Sequence, residues 1–161
     1  MSVHRLLGSV FLALAFAAPQ AAGAQAASPD ALAAQTRDYF TAVLHADADT
    51  LAGETSRSFR YVRQNGTEVG YEDFVREVTR DAFGRQNPMG VTVTIKSSRD
   101  SGPDVEETVD TMTWWSGALS PDPMMGPVVG HSFATHQLTW SKSADGRWLL
   151  DEDHLTALST F

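Results

Sequence analysis

The chain has 161 residues, no cysteine and a formal net charge of −8 at neutral pH. This length suits one domain with one hydrophobic core and is short for two, and without cysteine no disulfide can stabilise the fold. Because an acidic surface repels phosphate groups, nucleic acid is not expected as a partner.

The first 24 residues have the organisation of a secretory signal peptide. Arg5 lies in a short basic start, an apolar run covers residues 6–18, and small residues lead up to Ala24. The apolar run is too short to span a bilayer comfortably, which predicts cleavage after export. We expect residues 25–161 to form a single exported domain, periplasmic or secreted, with no membrane insertion after signal cleavage.

Three segments of the mature chain are predicted to be helical. The first starts with Ser28 as a possible N-cap, and its buried stripe recurs at three-and-four spacing. That stripe consists of Leu32, Thr36, Tyr39, Phe40, Val43 and Leu44. A short second helix is predicted after Asp49, and residues 71–83 return to helical spacing before Gly84, which can end that helix.

The remaining segments are predicted to be strands. Residues 58–62 are rich in aromatic and β-branched side chains, and Asn65-Gly66 is the strongest short hairpin signal. From Met89 onward the period changes to two, which predicts a four-stranded antiparallel meander. Its strands are predicted within residues 90–98, 105–115, 131–142 and 147–158. Helices followed by strands predict an α+β fold, with about three helices packed on one face of a curved antiparallel sheet.

The order of these elements resembles the nuclear transport factor 2-like superfamily, specifically its SnoaL-like branch. The resemblance rests on YFTAVLHADADTLAGETSRSFRYVRQNGTEVGYEDF and on HQLTWSKSADGRWLLDEDHLTAL. It implies a cone-like fold whose concave sheet and helices enclose a pocket, often in a homodimer. The superfamily includes ketosteroid isomerase, polyketide cyclases and dehydratases, and also binding and purely structural domains, so the resemblance does not decide the function.

The resemblance also implies candidate site residues. Tyr39 falls where a ketosteroid isomerase carries the tyrosine that donates to its oxyanion, and His136 falls near the second donor. The general-base position falls at Arg63, which stays protonated and cannot take a proton from a substrate. The alternative for Tyr39 is a core aromatic residue whose hydroxyl finds any acceptor.

The stretch RWLLDEDHL near the end of the chain raises the question of an acid/base or metal site. With strict alternation, Asp151 and Asp153 share one face of a strand, while Glu152 and His154 share the other. The resemblance turns the first pair toward the pocket, with the two residues about 7 Å apart along the strand. Those carboxylates would raise each other's pKa for acid/base work, or pair with Arg63. The alternative is that they lie in solvent at the end of the strand.

No motif indicates a metal or a cofactor. Glu152 and His154 supply at most two ligands from one face, and His131 and His136 lie on opposite faces of their strand. The segment GHSFA lacks the glycine pattern of a nucleophile elbow, and no phosphate-binding glycine loop follows a strand. We therefore expect no metal site and no cofactor.

A homodimer is predicted through the outer face of the sheet. Strict alternation places Trp148 and Leu150 on the same face as His154, and both side chains are large for an exposed surface. The sequence thus predicts that a second copy of the chain covers them.

Three functions remain open. The preferred one is an exported small-molecule-binding or accessory domain, in which a largely apolar pocket carries a few polar groups. The candidate ligand-binding residues are Tyr39, Arg63, His136, Asp151 and Asp153. The second is an isomerase, dehydratase or cyclase acting on a small hydrophobic carbonyl compound, with His136 or Asp153 as base and Tyr39 as electrophile. The third is a structural dimerisation module.

Overall fold

The computed structural model describes residues 29–84, 88–117 and 128–161. Its elements in chain order are α1 (Pro29–His45), α2 (Ala48–Glu54), β1 (Thr55–Val62), β2 (Glu68–Gly70), α3 (Tyr71–Gly84), β3 (Pro88–Ser101), β4 (Asp104–Gly117), β5 (Val128–Lys142) and β6 (Trp148–Thr160). The predicted signal peptide, residues 1–24, and the predicted cap at Ser28 lie outside the described residues.

The described strands form one six-stranded sheet in the order β2-β1-β6-β5-β4-β3. Strands β3 to β6 pair as the predicted antiparallel meander. Strand β1 runs parallel to β6, so the sheet is mixed, and the expectation of a wholly antiparallel sheet is wrong at this pair. No tight turn joins β1 to β6, so no local turn signal indicated their relative direction.

The helices cover the concave face of the sheet, which confirms the predicted α+β architecture. Helix α1 lies against β3, and α3 lies against β1. The helical stripe predicted for α1 is buried, apart from the half-buried Val43. The core cluster contains Leu32, Tyr39, Phe40, Ala42, Leu51, Phe59, Phe74, Val105, Val109, Leu138, Trp140 and Leu150. Burial of the apolar side chains in this cluster is the main favourable contribution to folding.

The short connections follow from local side chains. Asp47 caps α2 by accepting a hydrogen bond from the backbone N–H of Thr50 at 3.1 Å. In the predicted hairpin, the Asn65 side chain accepts from the backbone N–H of Thr67 at 3.0 Å, and Gly66 has a φ of 80°. This left-handed conformation suits glycine, which explains the strength of the Asn-Gly signal.

Two glycines let indole rings pack closely at one end of the meander. Gly90 pairs with Trp114, and Gly130 pairs with Trp115. A Cβ atom at these glycines would come within 2.7 Å of the Trp114 ring and 2.6 Å of the Trp115 ring. The rings therefore occupy the space that side chains would need, which favours this register of β3, β4 and β5.

Strand β6 contains a bulge that the sequence analysis missed. Consecutive residues of β5 pair with Leu150 and then with Glu152, which leaves Asp151 as the extra residue. A bulge changes the face on which the following side chains lie. Leu150 and Asp153 are consequently both buried. The prediction that Asp151 and Asp153 share the pocket face is therefore wrong.

The bulge also removes the stated basis of the predicted dimer. Leu150 is fully buried in the core cluster, and Trp148 is half-buried and packs against that cluster. The Gln35 side-chain amide donates to the Trp148 carbonyl at 2.8 Å, which ties α1 to the start of β6. These two side chains face the helices, because the bulge reverses their expected orientation. The homodimer itself stays a prediction.

Candidate functional site

A cavity of about 180 Å³ lies between the helices and the concave face of the sheet. Much of its wall is apolar, including Phe40, Val43, Phe74, Val78, Val91 and Leu155. The wall also contains residues with polar groups, which are Tyr61, Glu77, Thr111, Thr113, Ser132, His136 and Asp153. This combination of an apolar wall and a few polar groups is typical of small-molecule sites.

Asp153 connects two other predicted site residues beside the cavity. The Tyr39 hydroxyl donates to Oδ2 of Asp153 at 2.8 Å, and Nδ1 of His136 lies 2.7 Å from Oδ1. Asp153 is only 2% exposed. Each of its two carboxylate oxygens has one hydrogen-bond partner, as buried polar atoms normally do. With Asp153 as the acceptor, Nδ1 carries a ring proton, and Nε2 is the ring nitrogen that is free of this hydrogen bond.

Tyr39 supports Asp153 from beneath the cavity. Its side chain is fully buried, and it is not among the residues that line the cavity. Burial, followed by the charge of Asp153, holds the pKa of Tyr39 well above its ordinary value, so the hydroxyl keeps its proton. That proton is directed at Asp153, so the structure assigns Tyr39 a positioning role where the resemblance implied a donor to substrate.

The next residue of α1 contributes to the cavity wall directly. The ring of Phe40 packs edge-to-face against the His136 imidazole, with 4.8 Å between the ring centroids. Helix α1 therefore contacts this group twice. Tyr39 bonds Asp153 below the cavity, and Phe40 packs against His136 in the cavity wall.

The other candidate residues do not join this group. Arg63 forms an ion pair with Glu77 of α3, in which its Nε lies 3.3 Å from Oε2 and its Nη2 bonds Oε1. It lines a groove that shares Glu77 with the cavity, and the predicted pairing of Arg63 with Asp151 or Asp153 is not formed. Asp151 is half-buried in the bulge, and His154 lies beside Val62 in the register of β6 and β1.

Comparison with known proteins finds no matching protein-family model and no significant match among curated proteins. Solved structures do match. A nuclear transport factor 2-like protein from Cytophaga hutchinsonii is 15% identical, with a TM-score of 0.61 over 80% of this chain and 96% of that one. A conserved protein from Planctomyces limnophilus is 12% identical, with a TM-score of 0.64 over 81% and 94%. A ketosteroid isomerase-like protein from Erwinia carotovora atroseptica is 16% identical, with a TM-score of 0.59 over 80% and 92%.

The chain has the nuclear transport factor 2-like fold. This confirms the fold that the order of the elements predicted. Identities this low establish the fold alone, and the SnoaL-like branch stays a prediction.

The concave face of this nuclear transport factor 2-like fold carries polar groups that the sequence analysis did not select. The hydroxyls of Thr113 and Ser132 lie 2.5 Å apart in the cavity wall, and Glu77 reaches the wall from α3. Period-two spacing already placed Ser132 and His136 on one face of β5. Only the register of β4 against β5 shows that Thr113 lies opposite Ser132.

In residues 29–84, 88–117 and 128–161, no group of three or more His, Asp or Glu side chains is arranged to hold a metal ion. Among the helices of the same ranges, none is long and apolar enough to cross a membrane.

Proposed function

We propose that the protein binds a small, largely apolar molecule in the cavity, with a polar group of the ligand at His136. The observation that carries this proposal is the hydrogen bond between Nδ1 of His136 and the buried Asp153, in the wall of a mostly apolar cavity. A fixed imidazole in apolar surroundings orients a ligand by one strong hydrogen bond. The likeness to a ketosteroid isomerase-like structure supports the same function.

The size of the cavity limits the ligand. Pockets for drug-sized molecules start at roughly 300 Å³, and this cavity has about 180 Å³. The proposed ligand is therefore a chain compound or a single-ring compound.

Native mass spectrometry of protein purified from its own cells tests this function. We expect a retained small molecule on the wild-type protein and on His131→Gln, because His131 is exposed and lies on the opposite face of β5. His136→Gln should reduce retention about tenfold, the loss of one hydrogen bond in a desolvated site. Equal retention by His136→Gln would contradict the assigned role of His136.

The second candidate is an enzyme acting on a small hydrophobic carbonyl compound, as an isomerase, dehydratase or cyclase. The observation that favours it is Asp153, because an ionised carboxylate is costly to bury and a binding site does not require one. An aspartate on Nδ1 holds the imidazole in one tautomer and stabilises its protonated form, which prepares Nε2 as a general base. In this proposal Nε2 takes a proton from the carbon beside the carbonyl group.

Exchange of that carbon-bound proton separates binding from catalysis. We would incubate benzylacetone with the protein in deuterated water and follow loss of the proton signal by NMR. Asp153→Asn keeps an oxygen acceptor at the site but loses the charge, so binding should persist while exchange slows about 100-fold or more. Unchanged exchange in Asp153→Asn and His136→Gln would exclude this base.

We also propose that the protein is exported. The order of basic, apolar and small residues in the first 24 positions supports this localisation. N-terminal sequencing should find a mature chain that starts after Ala24 or Ala26. Met1 at the start of the mature protein would contradict export.

We propose further that two copies associate through the convex face of the sheet. Met112 and Phe133 pair across β4 and β5 on that face and are 44% and 41% exposed. Apolar side chains of this size on one exposed face support association. Light scattering should give twice the monomer mass for the wild type and the monomer mass for Phe133→Asp. A dimer that fails to retain any ligand would favour the structural dimerisation module.

A further inference from the structure

A pair of hydroxyl groups lines the cavity, and one of them is on β5, the strand that carries His136. Oγ1 of Thr113 and Oγ of Ser132 lie 2.5 Å apart, and both residues line the cavity. Their strands hold them directly opposite each other, since Thr113 and Ser132 are partners in the register of β4 and β5. The hydroxyl pair is therefore a fixed feature of the concave face.

The number of hydroxyl protons decides which hydrogen bonds this pair can form with a ligand. Two hydroxyl groups carry two protons, and the hydrogen bond between them uses one. The second proton can be donated to an acceptor in the cavity, and the lone pairs of the same oxygens can accept from a donor there.

The hydroxyl pair and His136 are separated along the concave face of β5. Ser132 and His136 share one face of β5 and are four residues apart in the sequence, which corresponds to about 13 Å at the rise of a strand. Between them Ala134 and its cross-strand partner Thr111 line the cavity, and Val91 lines it from β3. Along β5 itself, the wall is therefore polar at Ser132 and His136 and apolar at Ala134.

We propose that the Thr113–Ser132 hydroxyl pair is a second binding subsite, which selects an elongated apolar ligand with an oxygen function at each end. One oxygen meets His136 and the other meets the hydroxyl pair. The ligand class is a chain or single-ring compound with a carbonyl group at one end and a hydroxyl or carbonyl group at the other. This inference rests on the proposed small-molecule function and specifies its ligand.

The competing explanation is that the hydroxyl pair only stabilises the sheet. Cross-strand pairs of Thr and Ser occur for that reason, and each contributes a few tenths of a kcal/mol to about 1 kcal/mol. The two explanations predict different binding affinities. If the pair is purely structural, a polar group at the far end of the ligand does not change its affinity.

Two matched ligands test the subsite by isothermal titration calorimetry. Benzylacetone has a carbonyl group on a short chain and a plain phenyl ring, and its para-hydroxy derivative adds one hydroxyl at the far end. We expect the derivative to bind the wild-type protein about tenfold more tightly, which corresponds to one hydrogen bond. The meta-hydroxy isomer, which directs the same group elsewhere, should gain less.

The protein side of the test removes the hydroxyl pair. The double variant Thr113→Val with Ser132→Ala should bind both ketones with the same affinity. The conservative double variant Thr113→Ser with Ser132→Thr keeps two hydroxyls and should keep the preference, which controls for changes in folding. If the first double variant does not fold, the preference of the wild type for the para over the meta isomer decides the question.

The outcomes separate this inference from the proposed function. Equal binding of benzylacetone and its para-hydroxy derivative to the wild-type protein would overturn the subsite and leave small-molecule binding intact. A preference that survives in the Thr113→Val, Ser132→Ala variant would also overturn it. Binding of neither ketone, nor of any molecule retained from cells, would contradict the proposed function and the subsite with it.

Discussion

Two buried acids occupy the same row of the sheet but have different hydrogen-bond partners. Glu107 on β4 and Asp153 on β6 are both register partners of Leu138, which lies between them on β5. Both side chains are buried on the concave face. Asp153 receives two donors, Tyr39 and His136, and lies in the wall of the cavity.

Glu107 has a different partner beneath α1. Its Oε2 lies 2.6 Å from the Thr36 hydroxyl, and that hydroxyl oxygen is also 3.0 Å from the Leu32 carbonyl. The Thr36 hydroxyl donates to this carboxyl group. Burial is the largest influence on Glu107 and raises its pKa, while the hydrogen bond from Thr36 lowers it.

The comparison teaches that the place where a buried acid packs decides which part of the fold it serves. Asp153 has one hydrogen-bond partner for each oxygen and lies in the cavity wall. Glu107 has the Thr36 hydroxyl as a partner beneath α1, and burial raises its pKa. The first arrangement fixes the imidazole at the cavity, and the second fastens α1 to the sheet.

The largest expected effect comes from removing the carboxylate that has two donors. Asp153→Ala leaves the Tyr39 hydroxyl and Nδ1 of His136 without their acceptor in the interior, which should lower the free energy of unfolding by about 3 kcal/mol. Urea denaturation measures this change. The matched control is Asp151→Ala in the bulge, which should change stability by about 0.5 kcal/mol or less. Similar losses for the two variants would contradict the special role of Asp153.

A smaller effect is expected from removing one of the two donors. Tyr39→Phe deletes a hydrogen bond to a charged acceptor and keeps the ring in the core, so the free energy of unfolding should fall by about 1–2 kcal/mol. Because the hydroxyl does not line the cavity, ligand affinity should change less than twofold while proton exchange slows with the loosened Asp153. Loss of affinity equal to that of His136→Gln would restore the direct role that the resemblance implied.

The smallest effect concerns Glu107 and depends on pH. A folded-state pKa above the ordinary value means that the native protein holds this proton longer than the unfolded chain. The stability that Glu107 contributes is therefore full below its ordinary pKa and is lost as pH rises through the raised folded pKa. Glu107→Gln does not titrate, so it should gain stability relative to the wild type between about pH 4 and about pH 7.

The neighbouring Glu106 is a control, because its pKa is shifted in the opposite direction. The side chain of Glu106 is 43% exposed, and its hydrogen bond to Arg99 lowers its pKa. Glu106→Gln should therefore lose stability relative to the wild type as pH rises from about pH 3 to about pH 5, by a small amount because the pair is in solvent. Unfolding midpoints in denaturant from about pH 3 to about pH 7 measure the two trends. Parallel trends in the two variants would contradict the raised pKa of Glu107.

Part of the structure was predictable because it depends on neighbours in the sequence. The stripe that includes Tyr39 and Phe40 follows from helical spacing, and the hairpin at Asn65-Gly66 follows from backbone conformations that glycine adopts easily. The alternation of β5 likewise placed His131 and His136 on opposite faces. Each of these features is decided within about four residues of chain.

The tertiary structure decided the features that join distant residues. The bulge at Asp151 interrupts strict alternation in β6, and no residue type in RWLLDEDHL predicts it. The resemblance proposed Tyr39, His136 and Asp153 as candidates, but the choice of Asp153 as the common acceptor joins residues 114 positions apart. The sequence by itself determined the elements and the faces of most strands, because local stereochemistry is sufficient for them. Packing of α1 on the sheet and the register of its strands determined that Asp153 lies at the cavity and that Glu107 lies beneath α1.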